Sequence, residues 1–320
     1  MIDLGPAAAA VAGARRVLLT CHLGPDGDSI GSLSALAALL RENAREAVVY
    51  NPDPAPRNLK WLPHVDTLVH KLPPGAFDAT IVVDCGDAKL LGKTFPERSV
   101  TGPLIVLDHH ASSRPFGDIY ACDPGAASVG VLVARLARAL GWAISPQAAP
   151  GLYVSLVSDT GSFRYANTNA EAFALAGHLV ADLGVSPWEV AQALGEEVPL
   201  ARWRLLAQAL AGITLELDGR VAVMIITDEM VRGCGARWEH TEGLVNYARA
   251  IEGVECGVLL TPARDGGIRA SLRSKRRIDA GAICAPFGGG GHPGAAGCLL
   301  EGPIEDARAR ILGALAAALA

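Results

Sequence analysis

The sequence lacks most of the features that mark a secreted, membrane or polyanion-coating protein. Its seven cysteines include no CxxC pair, as expected for reduced thiols in a cytosolic protein. No run of about 18 apolar residues occurs, so no transmembrane helix is expected. The net charge is −5, so bulk electrostatics do not favour binding to long nucleic acid. We therefore expect a cytoplasmic protein that has no membrane partner.

The alanine run at residues 7–10 follows Asp3 and precedes Arg15 and Arg16. A secretory signal carries its positive charge before the apolar stretch. The run therefore predicts an N-terminal helix and not a signal peptide.

The first half of the chain alternates strand and helix signals, which is typical of βαβ units and a parallel sheet. The predicted strands are residues 17–20, 47–51, 79–84 and 104–108, and the predicted helices are 29–43, 128–141, 151–158 and 170–184. Asp28 or Ser29 is expected to cap the first of these helices, because both are good N-cap residues.

The pattern changes after residue 185. Residues 186–210 read as a helical connection interrupted by Pro187 and Pro199. Hairpins are predicted over 212–227, around Asp218–Gly219, and over 253–274, around residues 265–267. A final helix follows from residue 305. The predicted fold class is α/β, with domains 1–185 and 211–320 on either side of the connection and the C-terminal domain the smaller.

Metal-ligand side chains follow three of the predicted strands. His22, Asp26 and Asp28 follow the first, Asp84 ends another, and residues 108–110 read Asp-His-His. Because the carboxyl ends of parallel strands point into one crevice, these groups should converge. Carboxylates and imidazoles suit Mn²⁺ or Mg²⁺ better than a thiolate-seeking metal.

Each cluster also has a simpler explanation. Asp28 could serve only as a helix cap while Asp26 faces water, Asp84 could form a structural ion pair, and the histidines could be satisfied within a loop. The joint pattern favours a metal pair, because two ions with a bridging carboxylate are a standard arrangement for phosphoester hydrolysis.

Two further segments carry candidate substrate contacts. Asp159 and Arg164 lie in residues 158–168, where the planar guanidinium suits phosphate, although it could equally be a surface charge. The run FGGGGHPGAAG at 287–297 lets backbone amides approach an anion, and SLRSKRR at 271–277 supplies basic groups. A tight turn beside a solvated basic strand end is the alternative. The missing GK[ST] excludes a P-loop.

The motifs PDGDSIGS, VDCGD, DHH, SDTGSFRY and GGGGHPGAAG, in this order, resemble those of DHH phosphoesterases with a DHH-associated C-terminal domain. The segment EGLVNYAR at 242–249 resembles the branch of nanoRNases that are also pAp phosphatases. The resemblance covers essentially the whole chain. One departure is SLRS at 271–274, where we expect SFRS; it leaves Arg273 in place.

This resemblance implies two α/β domains with the active site in the cleft between them, and a pair of Mn²⁺ ions, with Mg²⁺ as the alternative. It implies that His22, Asp26 and Asp84 hold one ion, and that Asp28, Asp84, His109 and Asp159 hold the other. It implies that His110 lies by the scissile phosphate, and that Arg273, His292 and the glycines Gly289, Gly290 and Gly291 hold the nucleotide end. From the residue chemistry we add Arg164, with His110 and Asp84, to the catalytic set, and Lys275 to the substrate-binding residues.

The leading hypothesis is a Mn²⁺-dependent phosphoesterase acting on short RNA or DNA oligonucleotides and on pAp-type nucleotides. A RecJ-type single-strand exonuclease, a cyclic-dinucleotide phosphodiesterase and a catalytically inactive nucleotide-binding regulator are the alternatives. The oligomeric state stays open, with a homodimer among the expectations.

Overall fold

The computed structural model describes residues 2–196, 198–263, 266–275 and 277–319. Two residues named above, Asp265 of the second hairpin and Arg276 of the basic segment, lie outside this range. The chain divides into two compact units, residues 1–197 and 198–320, called here the N-terminal unit and the C-terminal unit. Within the described residues, none of the helices is both long enough and apolar enough to cross a membrane.

The N-terminal unit is built from five strands and seven α-helices in its described part, besides short 3-10 and π-helical turns. In chain order these are α1 Gly5–Gly13, β1 Arg16–Cys21, α2 Gly27–Glu42, β2 Glu46–Val49, β3 Ala79–Val83, α3 Arg98–Thr101, β4 Leu104–Asp108, β5 Ile119–Cys122, α4 Val129–Ala139, α5 Ala149–Asp159, α6 Ala170–Ala181 and α7 Pro187–Ala191. The predicted α/β class and the parallel sheet are confirmed.

The strand order in this sheet is β2-β1-β3-β4-β5, and every pair is parallel. Strand β2 therefore lies on one side of β1, and β3 lies on the other side. This reversal of direction creates a topological switch point between β1 and β3. Ligand sites of open α/β sheets form at the carboxyl ends of the strands at such a point. Cys21 pairs with Val83 in the register, so the next residues, His22 and Asp84, leave the sheet side by side.

Two details of this unit differ from the sequence prediction. Helix α2 begins at Gly27, and its N-cap is Asp26, whose side chain accepts from the Ser29 amide. Neither Asp28 nor Ser29 is the cap; Asp28 lies in the first turn and is fully buried. Strand β5 was not predicted, because its residues are mostly half-exposed at the sheet edge and give no continuous apolar run.

Helices α2 and α5 pack at unusually close range through paired glycines. A Cβ on Gly31 would lie 2.4 Å from the carbonyl oxygen of Gly151, and a Cβ on Gly151 would lie 2.4 Å from the carbonyl oxygen of Gly31. Only glycine fits at either position without moving a backbone. This contact holds the start of α2, which carries Asp28, against α5, which ends at Asp159.

The C-terminal unit is a three-layer α/β structure around a mixed sheet. Its elements are α8 Leu200–Ala211, β6 Thr214–Glu216, β7 Val221–Ile225, α9 Asp228–Gly233, α10 Val245–Ala250, β8 Cys256–Pro262, β9 Ile268–Ser274, α11 Ala280–Cys284, β10 Gly290–His292, β11 Ala295–Leu300 and α12 Ile304–Leu319. The strand order is β10-β11-β9-β8-β7-β6. One core packs under α11 and α12, and another packs under α8, α9 and α10.

Both predicted hairpins are present as antiparallel pairs, β6 with β7 and β8 with β9. Pro187 and Pro199 do not interrupt one helix; the first begins α7, and the second is the N-cap residue of α8. The prolines are thus helix starts, where the missing amide hydrogen is not needed.

The glycine run at 288–291, predicted to let backbone amides approach an anion, leads into a strand. Gly290–His292 form strand β10, which pairs antiparallel with β11. A Cβ on Gly289 would lie 2.2 Å from the carbonyl oxygen of Gly297, and a Cβ on Gly291 would lie 2.4 Å from that of Ala295. These two glycines are required by backbone packing, whereas Gly290 faces open space.

The α2–α5 contact gives a direct stability test. Gly31→Ala should destabilise the protein by about 1–3 kcal/mol, because the added methyl group overpacks a backbone contact. Gly177→Ala on α6 is the matched control, since nothing lies within 4 Å of its added Cβ, and it should stabilise by about 0.4–1 kcal/mol. Urea unfolding measures both. Equal effects of the two substitutions would contradict the close helix contact.

Candidate metal centre

The side chains predicted as metal ligands lie together at the carboxyl edge of the N-terminal sheet. Three groups of donors, each with all ligand atoms within 4.8 Å of one another, share Asp84; one of them adds Asp108 and His110, and the other two consist of predicted metal ligands. Of these two, the first contains His22 and Asp26, and the second contains Asp28 and His109. Asp159, at the end of α5, lies next to the second group: its Oδ2 is 3.3 Å from His109 Nε2.

The distances within the cluster lie at or beyond the long end of the hydrogen-bond range. His22 Nε2 lies 3.5 Å from Asp84 Oδ2 and 3.9 Å from Asp26 Oδ1. His109 Nε2 lies 3.5 Å from Asp28 Oδ2 and 3.8 Å from Asp84 Oδ1. Donors bound to one ion at about 2.0–2.2 Å are separated by about 3.0–3.5 Å. The spacing is therefore close to that of ligands around shared ions.

Hydrogen bonds to backbone carbonyls set the orientation of both ligand-type histidines. Nδ1 of His22 lies 2.8 Å from the Leu23 carbonyl, and Nδ1 of His109 lies 3.0 Å from the Ala126 carbonyl. A carbonyl oxygen only accepts, so Nδ1 carries the hydrogen in each ring. Nε2 is then the nitrogen presented to the carboxylates, which is the usual arrangement of metal-ligating histidines.

Asp28 is held in place by a network that the sequence reading missed. Its Oδ2 accepts from the Val129 amide at 2.9 Å, and its Oδ1 accepts from Ser155 Oγ at 2.6 Å and from Ser32 Oγ at 3.2 Å. Ser155 Oγ in turn accepts from the Gly130 amide at 2.9 Å. The only hint of this network in the sequence was Ser155, a single serine inside the apolar segment 151–157. The structure shows that its partner is Asp28.

The histidine after the ligand pair has a different environment. Nδ1 of His110 lies 2.7 Å from Oδ1 of Asp108, which is fully buried at the end of β4. Asp108 therefore orients His110 and is not in the shared group around Asp28. His110 also lies 3.6 Å from Asp84, measured between Nδ1 and Oδ1, and its side chain is 25% exposed.

The pKa values record how strongly charge is concentrated here. Burial raises the pKa of Asp28 well above its usual range, and the charges of Asp84 and Asp159 raise it further. Burial also raises the pKa of Asp159, to about 6. Burial would raise the pKa of Asp84 as well, but hydrogen bonding with His22 and the charges of the histidines keep that pKa below its usual range.

The histidine pKa values shift in the complementary direction. Burial opposes protonation of His22, but hydrogen bonding and charge from Asp84 raise its pKa to about 9. Burial likewise opposes protonation of His110, whose pKa Asp108 and Asp84 raise to about 10. Buried carboxylates that raise the pKa values of neighbouring histidines need positive charge to compensate their own. A bound divalent cation would supply that charge. The donor set thus fits a metal site.

Among the other predicted residues, Arg164 is exposed and its Nε donates to the Gly161 carbonyl at 2.8 Å. In the C-terminal unit, Arg273 and His292 both stand opposite Ala295, on β9 and β10. Residues directly opposite each other in a sheet share a face, so these two side chains flank a small residue on one face. Lys275 lies beyond the end of β9, and its Nζ donates to the Ile251 carbonyl at 3.0 Å.

A parallel α/β unit with a shared-carboxylate donor cluster at its switch point is the arrangement expected of a hydrolase that uses metal ions. The family model described as "DHH family, N-terminal domain" matches residues 16–156, and that described as "DHHA1 domain" matches residues 218–320. The chain belongs to the DHH family, and it is an enzyme. DHH phosphoesterases are metal-dependent, and the clusters described above could hold metal.

Known proteins resemble this chain along most of its length. A Thermus thermophilus protein named bifunctional oligoribonuclease and PAP phosphatase NrnA is 32% identical over 304 residues, which cover 93% of this chain and 89% of that protein. The Bacillus subtilis protein of the same name is 27% identical over 292 residues, 88% of each chain. An exopolyphosphatase-related protein from Bacteroides fragilis has a TM-score of 0.87 at 25% identity, covering 98% of this chain and 95% of that structure.

The sharing of Asp84 predicts that its removal disturbs both donor groups. Asp84→Asn should lower the bound divalent metal, with Mn²⁺ and Mg²⁺ as probes, and abolish hydrolysis. Asparagine tolerates the left-handed backbone at this position, where φ is 55°, so the fold should survive. Asp87→Asn is the control, because Asp87 caps the Lys89 amide and belongs to neither donor group. Full metal content and turnover in Asp84→Asn would refute the shared role.

The serine network predicts a second effect on metal affinity. Ser155→Ala removes a hydrogen-bond donor to Asp28 and should weaken metal binding about 10–100-fold. Ser34→Ala is matched to it, since Ser34 is a buried serine on α2 whose hydroxyl donates to the Pro63 carbonyl at 2.7 Å. Both variants should lose about 1 kcal/mol of stability. Calorimetric metal titration beside urea unfolding separates the two effects; equal metal affinities would show that Ser155 is only structural.

Proposed function

We propose that this protein hydrolyses short oligoribonucleotides to mononucleotides, and pAp-type 3′,5′-bisphosphates to a mononucleotide and phosphate, with Mn²⁺ as its metal. The observation that carries the proposal is the pair of donor groups sharing Asp84. The names of the Thermus and Bacillus relatives, which align with most of this chain, support the choice of substrates.

In this proposal His22, Asp26 and Asp84 hold one ion, and Asp84, Asp28, His109 and Asp159 hold the other. Such a pair of ions, when bound, supplies Lewis-acid polarisation of the phosphate and a nucleophilic water at neutral pH. Hard oxygen donors predominate over the two imidazoles, which supports Mn²⁺ or Mg²⁺ over a softer metal.

The protein's own groups would orient the substrate and manage the protons. Asp108 keeps a proton on His110 through their 2.7 Å contact, so we assign to His110 the stabilisation of the scissile phosphate and proton donation to the leaving oxygen. A positive charge on His110 would stabilise the negative charge that develops on the phosphate oxygens. Arg164 would contact phosphate from the segment after α5.

We assign the terminal nucleotide of the substrate to the C-terminal unit. Arg273 and His292 flank Ala295 on one sheet face, which leaves room above the small residue for a phosphate between them. Gly290, with open space in front of it, offers backbone approach. The packing of Gly289 and Gly291 against β11 leaves Gly290 as the better of the three glycines for such a contact.

A preference for short substrates follows from this arrangement. A site that holds the scissile phosphate and one terminal nucleotide gains little from a longer chain, because affinity for a polyanion grows with the phosphates neutralised, and the protein's net charge is −5. We expect kcat/KM with Mn²⁺ to be higher on RNA of about two to five nucleotides than on RNA of about twenty.

Chelation of the metal should abolish turnover on every substrate. Efficient or processive cleavage of the long RNA would favour a RecJ-type exonuclease instead. A preference for cyclic dinucleotides would favour the phosphodiesterase alternative. Tight nucleotide binding without turnover would indicate a regulator.

A further inference from the structure

A cavity of about 640 Å³ opens in the N-terminal unit, and none of the roles assigned above uses it. Its lining consists of Leu23, Pro52, Lys89, Gly92, Lys93 and Thr94. Its volume falls within the roughly 300–1,000 Å³ that small-molecule sites occupy. The cavity is therefore large enough for one nucleotide.

The walls of this cavity continue from the two loops that carry candidate metal ligands. Leu23 follows His22 directly, and its carbonyl accepts from the His22 ring at 2.8 Å. The Leu23 amide donates to the Leu90 carbonyl at 2.8 Å, which joins the wall after β1 to the wall after β3. The second wall begins within five residues of Asp84. These two hydrogen bonds join the Leu23 wall of the cavity to the His22 ring and to the segment after β3.

One side of the cavity is apolar. The Leu23 side chain is large and 41% exposed. Gly92, with φ at 83°, packs its backbone against that side chain, and an added Cβ would lie 3.0 Å from Leu23 Cδ2. Together with the ring of Pro52, this surface can cover the face of a nucleobase, since ligand sites pair apolar walls with a few polar groups.

The other feature of the cavity is uncompensated positive charge. Lys89 and Lys93 are exposed, and in the described part of the chain no carboxylate lies within the 4.0 Å of an ion pair from either ammonium group. The carboxylates on the adjoining loops are engaged elsewhere: Asp53 accepts from the Gly24 amide, and Asp87 accepts from the Lys89 amide and pairs with Arg114. An apolar wall with two cationic groups is complementary to an amphipathic anion.

We propose that this cavity binds the nucleoside beyond the scissile phosphate of a short oligonucleotide, with Lys89 and Lys93 contacting the phosphate that follows it. The inference rests on the proposed function. It adds a second substrate subsite, within the N-terminal unit, that distinguishes an oligonucleotide from a mononucleotide bisphosphate.

Two substrates separate this subsite from the rest of the site. In pAp and in pApApA the enzyme would break the same kind of bond, between the 3′ oxygen and phosphorus, but only the trinucleotide carries a nucleoside and a further phosphate beyond it. Lys89→Ala/Lys93→Ala should therefore lower kcat/KM on pApApA about threefold to tenfold, chiefly by raising KM, the effect of losing two partly exposed charge contacts. Its activity on pAp should stay at the wild-type level.

Lys60→Ala/Lys71→Ala is the matched control. It also removes two exposed lysines from the N-terminal unit, and neither residue lines the cavity. This control should leave kcat/KM on both substrates at the wild-type level. Equal losses on pAp and pApApA, a loss in the control of the same size, or no loss in the Lys89/Lys93 variant would each overturn the subsite. If the wild-type protein hydrolysed neither pAp nor pApApA, the proposed function itself would be refuted.

Discussion

The main physical constraint on the structure is that several carboxylates are buried around one point at the edge of a parallel sheet. Asp28 and Asp84 are almost inaccessible to solvent, and the carboxylates of Asp26 and Asp159 face the same histidines. Such a concentration of negative charge is costly in a buried place unless cations compensate it. The histidines provide part of this compensation, as their raised pKa values indicate, and bound metal would provide more. The fold must therefore hold these groups together against their mutual repulsion.

Close packing of α2 against α5 holds these groups in place. The Gly31–Gly151 contact brings α2 and α5 together, and the buried serines between them satisfy Asp28. The amide of Val129 adds a hydrogen bond from the start of α4. Each of these groups is polar and buried, so each needs its partner, and a shift of either helix would leave several groups unsatisfied at once. Stability and site geometry are consequently coupled in this unit.

The two units carry different kinds of functional side chain. The N-terminal unit concentrates carboxylates and imidazoles, and beside them lies an apolar cavity with two lysines. The C-terminal unit offers Arg273 and His292 on one face of a mixed sheet. Acidic groups attract metal, and basic groups attract phosphate. In the proposed function, this division would let an acidic protein recognise a small anion, since recognition depends on local groups and not on net charge.

The sequence by itself determined the α/β class, the parallel N-terminal sheet and the grouping of His22, Asp84 and His109, because side chains placed at the ends of neighbouring parallel strands must meet. It also indicated the helix that ends at Asp159. Only the tertiary structure decided that Asp26 is the helix cap while Asp28 turns inward, since both residues suit either role locally. It likewise showed that Ser155 supports Asp28, a contact between residues 127 positions apart, and that Gly289 and Gly291 are needed for strand packing. Those features depend on which backbones approach each other, and local sequence preferences carry no information about such distances.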